Sequence, residues 1–241
     1  MIAISKNIFF FLKICVSLFF SSLNAKDTLR VKFGDSSVLL PNPDGLCSMG
    51  KSSEEKLLWK WMEDAQIKSG GKLLGMWIDC DFKNSLISQS ESKTNVKMDK
   101  WVIVIGLLNE GKEDTFKINP KEYNDYISGG LDDPDIQEVT KRVDKTLREA
   151  NLDHFDEENF VRIKDPIYLG VLAITDAVHL GVIMEVASEN DSALVSGILG
   201  NILINDIPIG FNFYGQYQNK QSVAKLLSES KKYSAKLLYS N

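Results

Sequence analysis

The feature that most constrains the fold of this chain is a pair of apolar, strand-like runs on either side of the dipeptide Asn205-Asp206. The two runs are Ile198–Ile204 and Ile207–Tyr214. Asn and Asp tolerate the left-handed backbone angles of a two-residue type I′ turn, and such a turn joins neighbouring antiparallel strands. A second hairpin is predicted from Tyr168–Ile174 and Leu180–Val186, with residues 175–179 as its turn. The C-terminal third is therefore expected to form an antiparallel sheet.

Helical patterns and further strand patterns occupy the rest of the chain. Predicted helices begin at a capping box formed by Ser52 and Glu55, at Asp133 before Pro134, and near Asn219. Predicted strands are Leu29–Leu40, Lys72–Asp79 and Trp101–Leu108, and residues 84–99 form a predicted exposed loop. The last helix is expected to face the core with the side chains of Val223, Leu226, Leu227, Tyr233 and Leu237. Hairpins with helices between them are typical of an α+β fold with a largely antiparallel sheet packed by helices.

The first 25 residues have the three parts of a cleavable secretory signal peptide. Lys6 lies in a short basic region, residues 8–20 are apolar apart from Lys13, and Ala25 offers the small side chain that cleavage requires. A membrane anchor is disfavoured, because the apolar run is shorter than the roughly 20 residues of a span and contains Lys13. We therefore expect export to the periplasm or the cell exterior, with a mature chain that begins at Lys26.

Residues 26–241 are expected to form a single α+β domain, with a weak linker candidate at residues 151–159. Two of the 28 basic residues leave with the signal peptide, so 26 remain against 33 acidic ones and the formal charge is −7. This balance disfavours nucleic acid as a partner, because nucleic-acid binding relies on clustered Lys and Arg. No later run is long and apolar enough for a membrane span, so none is expected after signal cleavage.

Two cysteines, Cys47 and Cys80, remain after export into an oxidising compartment. An even pair in such a compartment is typical of a disulfide. A helix followed by a returning strand would bring the two ends of the intervening segment together, as a disulfide requires. The alternative is a pair of small buried thiols. The spacing matches neither a Cys-x-x-Cys redox motif nor a four-ligand zinc site.

Four short segments carry a resemblance to a known family. They are Pro43–Cys47, Trp77–Cys80, Asp176–His179 and Phe213–Tyr217, the last of which precedes a helix that closes on Asn241. In these segments the chain resembles exported alphaproteobacterial proteins of uncharacterised function. The resemblance implies a shared architecture and supports pairing of the two cysteines, but it implies no activity. The order of elements is also similar to that of the α/β/α sandwiches of the PsbP-like photosystem accessory proteins and the Mog1-type proteins.

The two histidines are the candidate general bases. His154 lies in the acidic linker candidate, and His179 lies in the predicted hairpin turn. A hydrolase would use His179 with nearby carboxylates. The sequence lacks the Gly-x-Ser-x-Gly elbow that presents a nucleophilic serine in one large class of hydrolases. We therefore interpret His179 as a solvent-facing or turn residue and assign no catalytic residue.

Two acidic clusters are candidate sites for a hard cation. One is Asp79 with Asp81, and the other is Asp132, Asp133 and Asp135. Carboxylate oxygens suit calcium and magnesium, but the residue order matches no calcium-binding loop. The second cluster also suits a helix N-terminus. The glycine pairs at 70–71 and 129–130 lack phosphate-loop spacing, so neither a metal nor a cofactor is predicted.

The aromatic side chains are expected in the core, although Phe213 would line an apolar groove for a ligand or partner if it faced outward. Because the chain is poor in catalytic patterns, we interpret it as an exported non-catalytic protein. Its expected partner is a small ligand, an envelope component or another protein. The alternatives are a secreted effector that acts on host proteins and a hydrolase that uses His179.

Overall fold

The computed structural model describes residues 28–50, 55–88, 98–129, 145–146, 149, 162–187 and 192–241. Several predictions lie outside these ranges and stay predictions. They are the signal peptide at residues 1–25, the helix cap at Ser52, the helix start at Asp133 and the linker candidate at residues 151–159.

Nine strands and four helices are present in the described residues. The strands are β1 Thr28–Phe33, β2 Ser36–Pro41, β3 Leu46–Ser48, β4 Gly71–Asp79, β5 Lys100–Leu107, β6 Arg162–Ile174, β7 Val178–Ala187, β8 Ser192–Ile204 and β9 Ile207–Gln216. The helices are α1 Lys56–Lys68, α2 Cys80–Ser88, α3 Pro120–Gly129 and α4 Lys220–Ser240. Strands β1 and β2 form a separate hairpin, and the other seven form one sheet in the order β3-β4-β5-β9-β8-β7-β6. Every neighbouring pair is antiparallel, which confirms the predicted α+β class.

Helices cover both faces of the seven-stranded sheet. One face packs against α4 and the β1–β2 hairpin around a core that includes Phe33, Trp77, Phe211, Phe213 and Tyr233. The other face packs against α1 through Trp61, Met62 and Ala65, which contact a cluster that includes Met76, Ile78 and Ile103. The molecule is therefore an α/β/α sandwich, as the order of elements predicts. No helix in the described ranges is both long enough and apolar enough to cross a membrane.

The strand predicted over Leu29–Leu40 is in fact the β1–β2 hairpin. The chain reverses at Gly34-Asp35, where Gly34 has a φ of +56° that glycine adopts without strain. The turn is fastened from outside the hairpin, because the Gly34 N–H donates to the Glu113 carboxylate at 2.6 Å. Glu113 also pairs with Lys72 of β4 at 2.7 Å. These contacts fold the hairpin onto the sheet, and a local sequence pattern does not reveal them.

Two helices, α2 and α3, lie in segments for which the sequence predicts no helix. The exposed loop predicted over residues 84–99 is wrong at its start, because α2 continues to Ser88. Residues 89–97 lie outside the described ranges. Helix α3 begins after Asn119, whose side chain accepts a hydrogen bond from the backbone N–H of Glu122 at 2.9 Å. A helix-capping residue that no long apolar stripe follows is a weak sequence indication of a helix, because a short helix has little stability of its own.

The predicted last hairpin and last helix are confirmed. Asn205 and Asp206 form the turn with φ angles of 48° and 65°, as a type I′ turn requires. The Asn219 side chain accepts hydrogen bonds from the first turn of α4, and Ser222 completes the capping box. Of the residues predicted to face inward, Leu226, Tyr233 and Leu237 are buried, and Val223 and Leu227 pack half-buried against the same core.

Candidate functional site

His179 lies in β7 and not in the turn predicted for it. The turn takes only Thr175–Ala177, so the histidine enters the strand and is fully buried beneath α4. Its Nδ1 lies 3.0 Å from Ser230 Oγ of α4, and its Nε2 lies 3.3 Å from Thr175 Oγ1. The ring stands edge-on to Phe211. The predicted solvent-facing or turn role of His179 is therefore wrong.

The chemistry of His179 is that of a buried neutral imidazole. Burial lowers the pKa of His179 to about 4, and the positive charge of Lys231 acts in the same direction. Both ring nitrogens face hydroxyl groups, so the hydrogen bonds seen in the described residues include no carboxylate partner. A general base must reach the proton that it removes, and this ring has no exposed surface. The geometry gives no support to a hydrolase built on His179, and His154 lies outside the described ranges.

Asp79 acts as the cap of α2. Its Oδ1 accepts hydrogen bonds from the backbone N–H groups of Asp81 at 2.9 Å and of Phe82 at 3.2 Å. A carboxylate in this position stabilises a helix N-terminus, which accounts for Asp79 without a cation. Asp81 is exposed, and the described residues contain no group of three or more metal-type side chains. The second cluster, at residues 132–135, lies outside the described ranges.

Cys47 and Cys80 form a disulfide, with Cα atoms 5.0 Å apart. Cys47 lies in β3 and pairs in register with Ile78 of β4, and Cys80 is the first residue of α2. The predicted pairing is confirmed. It fastens β3, and the loop that precedes it, to the end of β4.

A groove follows one side of α4 from its first turn to its last, and we call it the α4 groove. Its helix side consists of residues spaced by three or four positions: Ser222, Lys225, Glu229, Lys232, Lys236 and Tyr239. Its other side consists of residues 99–100 before and in β5, residues 215–216 at the end of β9, and the loop at residues 41–46. From Gln221 to Ser240 the groove is about 30 Å long, at 1.5 Å per helical residue. It contains a first, a central and a last cavity of about 510, 140 and 610 Å³.

Two ion pairs cross the α4 groove and separate its cavities. Lys100 Nζ lies 2.6 Å from Glu229 Oε2, and both residues line the first and the central cavity. Lys236 Nζ lies 2.6 Å from Asp44 Oδ1, and both line the central and the last cavity. The hydrogen bond from Lys236 holds the pKa of Asp44 below its usual range. The central cavity therefore has a charged wall at each end.

The floor of the central cavity is aromatic. Phe213 of β9 and Tyr233 of α4 line it, with ring centroids 5.5 Å apart. Phe213 faces the core beneath α4, so it lines the groove from below and does not point outward. Tyr233 is 2% exposed, and its buried hydroxyl has no hydrogen-bond partner in the described part of the chain. A buried hydroxyl without a partner costs about 1–3 kcal/mol.

Lys232 adds a positive charge to the central cavity. The cavity is lined by three lysines, at 100, 232 and 236, and by two carboxylates, at 44 and 229. Each carboxylate has a lysine partner, and the ion pairs of the described residues give Lys232 none. The charge of Lys232 also helps to lower the pKa of Asp44, which places the two groups close together. The cavity is thus a positive site on a chain whose overall formal charge is −5.

The loop wall of the groove is fixed by contacts on three sides. Trp77 Nε1 of β4 donates to Asn42 Oδ1 at 2.8 Å, and the disulfide holds Cys47 just beyond the loop. The side chain of Asn241 accepts from Leu39 N at 2.8 Å and donates to Leu39 O at 2.9 Å, which joins the end of α4 to β2. The groove is therefore formed by rigid elements, as ligand sites usually are.

No protein-family model and no curated protein matches the chain. Several chains among the solved structures match it. Among them is the 1.9 Å crystal structure of the Saccharomyces cerevisiae Ran-binding protein Mog1p, which is 11% identical over 89% of this chain and 92% of that chain, with a TM-score of 0.26. A likeness at this TM-score carries no argument about partners, and the fold assignment depends on the sheet order and layers described above.

Sequence reasoning missed the charged residues of the central cavity. Asp44 lies in the sequence between Pro43 and Gly45, and Lys232 lies next to Lys231 in the last helix, so neither residue stands out as part of a site. The signal that was present is the row of charged residues at positions 225, 229, 232 and 236, which share one side of α4.

Proposed function

We propose that this chain is an exported, non-catalytic binding protein whose ligand is an extended segment of a partner polypeptide that lies in the α4 groove. The observation that carries the proposal is the row of three cavities along α4, which two ion pairs separate and whose loop wall is held by a hydrogen bond and a disulfide.

The shape of the groove favours an extended chain over a compact ligand. Its length of about 30 Å matches roughly nine residues of a β-type segment at 3.3 Å per residue. Its three cavities follow one another along α4, as the separate side-chain pockets of a peptide site do. The ion pairs between the cavities provide polar contacts for the backbone N–H and C=O groups of a bound extended peptide, which has no neighbouring strand of its own.

Export is the second part of the proposal, and the N-terminal signal pattern and the disulfide support it. Structural disulfides persist in oxidising compartments and are rare in the cytosol of most organisms. Kinship with the exported alphaproteobacterial proteins stays a prediction. An effector that acts on host proteins would use the same groove and differ only in its destination.

Export predicts a mature chain that begins at Lys26. Cells that express the full chain should release it into the periplasmic fraction or the medium, with an intact mass that lacks residues 1–25. Mass spectrometry of each fraction measures this directly. A matched variant with Ala25→Arg should stay uncleaved, because signal peptidase needs a small side chain there. Full-length protein retained in the membrane fraction would refute export.

Peptide binding predicts that one bulky residue in the groove blocks it. Nine-residue peptides selected by phage display on the mature chain should lose at least tenfold in affinity for Lys225→Trp, because Lys225 lines the first cavity. Ser228→Trp is the matched control, since Ser228 is exposed on the same helix and lines none of the three cavities. Calorimetry gives both affinities. Failure to select any binder, or equal loss in both variants, would refute the proposed site.

A further inference from the structure

We infer that the chain has a second binding surface, an apolar shelf beside α4 that binds an acidic amphipathic helix of a partner protein. The apolar shelf is the part of β6, β7 and β8 that lies on the α4 side of the sheet and that α4 leaves uncovered. Its apolar side chains are Ile167 and Leu169 of β6, Ile183 of β7 and Leu194 of β8. This surface lies on the flank of α4 opposite the α4 groove, so it is independent of the proposed function.

Strand pairing places these side chains on the α4 side of the sheet. His179 of β7 marks that side, because its ring contacts α4. Ile183 lies four positions further along β7, and therefore on the same face, and it pairs in register with Ile167. Leu194 lies four positions before Ile198, which belongs to the core beneath α4. The side chains of three neighbouring strands therefore meet on one surface.

The apolar shelf is exposed, although α4 covers the sheet next to it. Helix α4 packs mainly on β8, β9 and β2. Ile167 is 58% exposed, Leu194 is 54% exposed and Leu169 is 37% exposed. A Cβ atom at Gly181, on the same face of β7, would lie 3.0 Å from that of Leu169, so Leu169 belongs to the same surface. Single exposed apolar side chains are common, but several grouped on one surface mark an interaction site.

The dimensions of the apolar shelf fit one α-helix. Neighbouring strands lie about 4.8 Å apart, so β6 and β7 together span about 10 Å. A helix with its side chains has a diameter of about 10–12 Å. From Gly181 to Ala187 the shelf is about 20 Å long, which is the length of about 13 helical residues. Because α4 stands above the shelf, a flat surface would rest on α4, whereas a helix can lie beside it on the strands.

The rims of the apolar shelf are basic, which favours an acidic helix. The charged side chains that the structure describes there are Arg162 and Lys164 on β6, Glu185 on β7, and Lys220 and Lys231 on α4. The two lysines of α4 lie three turns apart on one flank, and the charge of Lys231 reaches the histidine in β7. Only Lys164 has an ion-pair partner among the described residues, namely Glu185 at 3.7 Å. Carboxylates on both sides of an apolar stripe would meet cations on both rims. A second copy of this chain would instead bring like charges together across a two-fold interface.

A fluorescein-labelled helical peptide of 14 residues tests the apolar shelf, with leucines at positions 4, 7, 8 and 11 and glutamates on both sides of that stripe. Fluorescence anisotropy should show saturable binding to the mature chain. Ile167→Glu and Leu194→Glu should each weaken binding at least tenfold and leave the melting temperature unchanged, because both side chains are exposed. The matched control is Ile174→Glu. Ile174 of β6 is 56% exposed but pairs with Val178, so it faces the other side of the sheet, and its variant should bind like the parent chain.

Two altered peptides test the charge and the stripe separately. Replacement of the glutamates by lysines should weaken binding at least tenfold, and spreading the leucines around the helix should abolish it. Lys231→Gln should weaken binding of the acidic peptide severalfold. No binding of that peptide, equal binding of all three peptides, or equal loss in Ile174→Glu would overturn the inference.

Three further measurements identify a different occupant. Binding to anionic lipid vesicles that Ile167→Glu abolishes would assign the apolar shelf to a membrane surface. A dimer in sedimentation that the same variant dissociates would assign it to a second copy of the chain. Weaker binding of the acidic peptide to Lys225→Trp would place that peptide in the α4 groove. Each of these outcomes would overturn the acidic helix as occupant. Unchanged binding to Lys225→Trp supports it, and the α4 groove is then tested on its own by its selected peptides.

Discussion

Reduction of the disulfide between Cys47 and Cys80 should lower the melting temperature of the mature chain by about 10 °C. The two residues are 33 positions apart, and closing a loop of this length removes unfolded-state entropy equivalent to roughly 3–4 kcal/mol. In a chain of this size each kcal/mol corresponds to about 2–4 °C. The loss is a large part of the roughly 5–15 kcal/mol that stabilises a typical domain.

The disulfide should also affect ligand binding, because it anchors the loop that forms one wall of the α4 groove. Without it, that wall depends on the Trp77–Asn42 hydrogen bond and on the Asn241 contacts with Leu39. We therefore expect the affinity for a selected peptide to fall severalfold on reduction.

Calorimetric melting with and without a phosphine reductant measures the stability effect. The matched control is the double variant Cys47→Ser with Cys80→Ser, which should melt at the temperature of the reduced chain whether or not reductant is present. An unchanged melting temperature on reduction, with both thiols shown to be free by mass mapping, would contradict the prediction.

Local chemistry explains which parts of the fold the sequence could predict. The Asn205-Asp206 turn and the Asn219 cap depend on residues within a few positions of each other, and both are confirmed. The first hairpin was missed for the opposite reason. Its turn at Gly34-Asp35 lies between two apolar runs, and it is fastened by Glu113, some 79 residues away.

The prediction for His179 was wrong because the turn before it is shorter than predicted. A five-residue turn places this residue in solvent, whereas the three-residue turn at Thr175–Ala177 places it in β7. Once it is in the strand, its partner is Ser230 on α4, 51 residues away. A polar residue at the boundary of an apolar run does not by itself reveal such a partner.

The central cavity could not be assembled from the sequence at all. Asp44, Lys100 and Glu229 come from three distant segments of the chain. They meet only because β5 pairs with β9 and α4 packs across both strands and the β1–β2 hairpin. The helix side of the groove had a periodic signal, but the opposite side depended on sheet order. Short local patterns predict single helices and strands. The site forms only when those strands pair and the helix packs on them, and local patterns do not show which strands pair.

The burial of His179 should make the chain less stable in mild acid. In the unfolded chain a histidine has a pKa near 6.5, and in the folded chain the pKa of His179 is lowered to about 4. Between these values the unfolded chain binds more protons than the folded chain. The free energy of unfolding therefore falls as the pH falls from 6.5 towards 4.

The size of this loss follows from the difference in pKa. Each pH unit in this window corresponds to about 1.4 kcal/mol, so the chain should lose about 2 kcal/mol at pH 5 and about 3 kcal/mol by pH 4. Asp44 and Glu113 have lowered pKa values, and the stability that they contribute is lost mainly below the usual carboxyl range. Among the described groups with a shifted pKa, His179 is therefore the one that titrates between pH 6.5 and pH 5.

Urea denaturation of the mature chain between pH 5 and pH 7.5 measures the slope. His179→Gln should flatten it, and His154→Gln is the matched control because the chain has only two histidines. NMR of the folded parent provides a reading that does not depend on the variants. The ring of His179 should keep the chemical shifts of a neutral imidazole down to pH 5, because its protonation would place an uncompensated charge between two hydroxyls and near Lys231. A His179 signal that titrates near pH 6.5 would show that the ring reaches solvent, and would reopen a catalytic role for it.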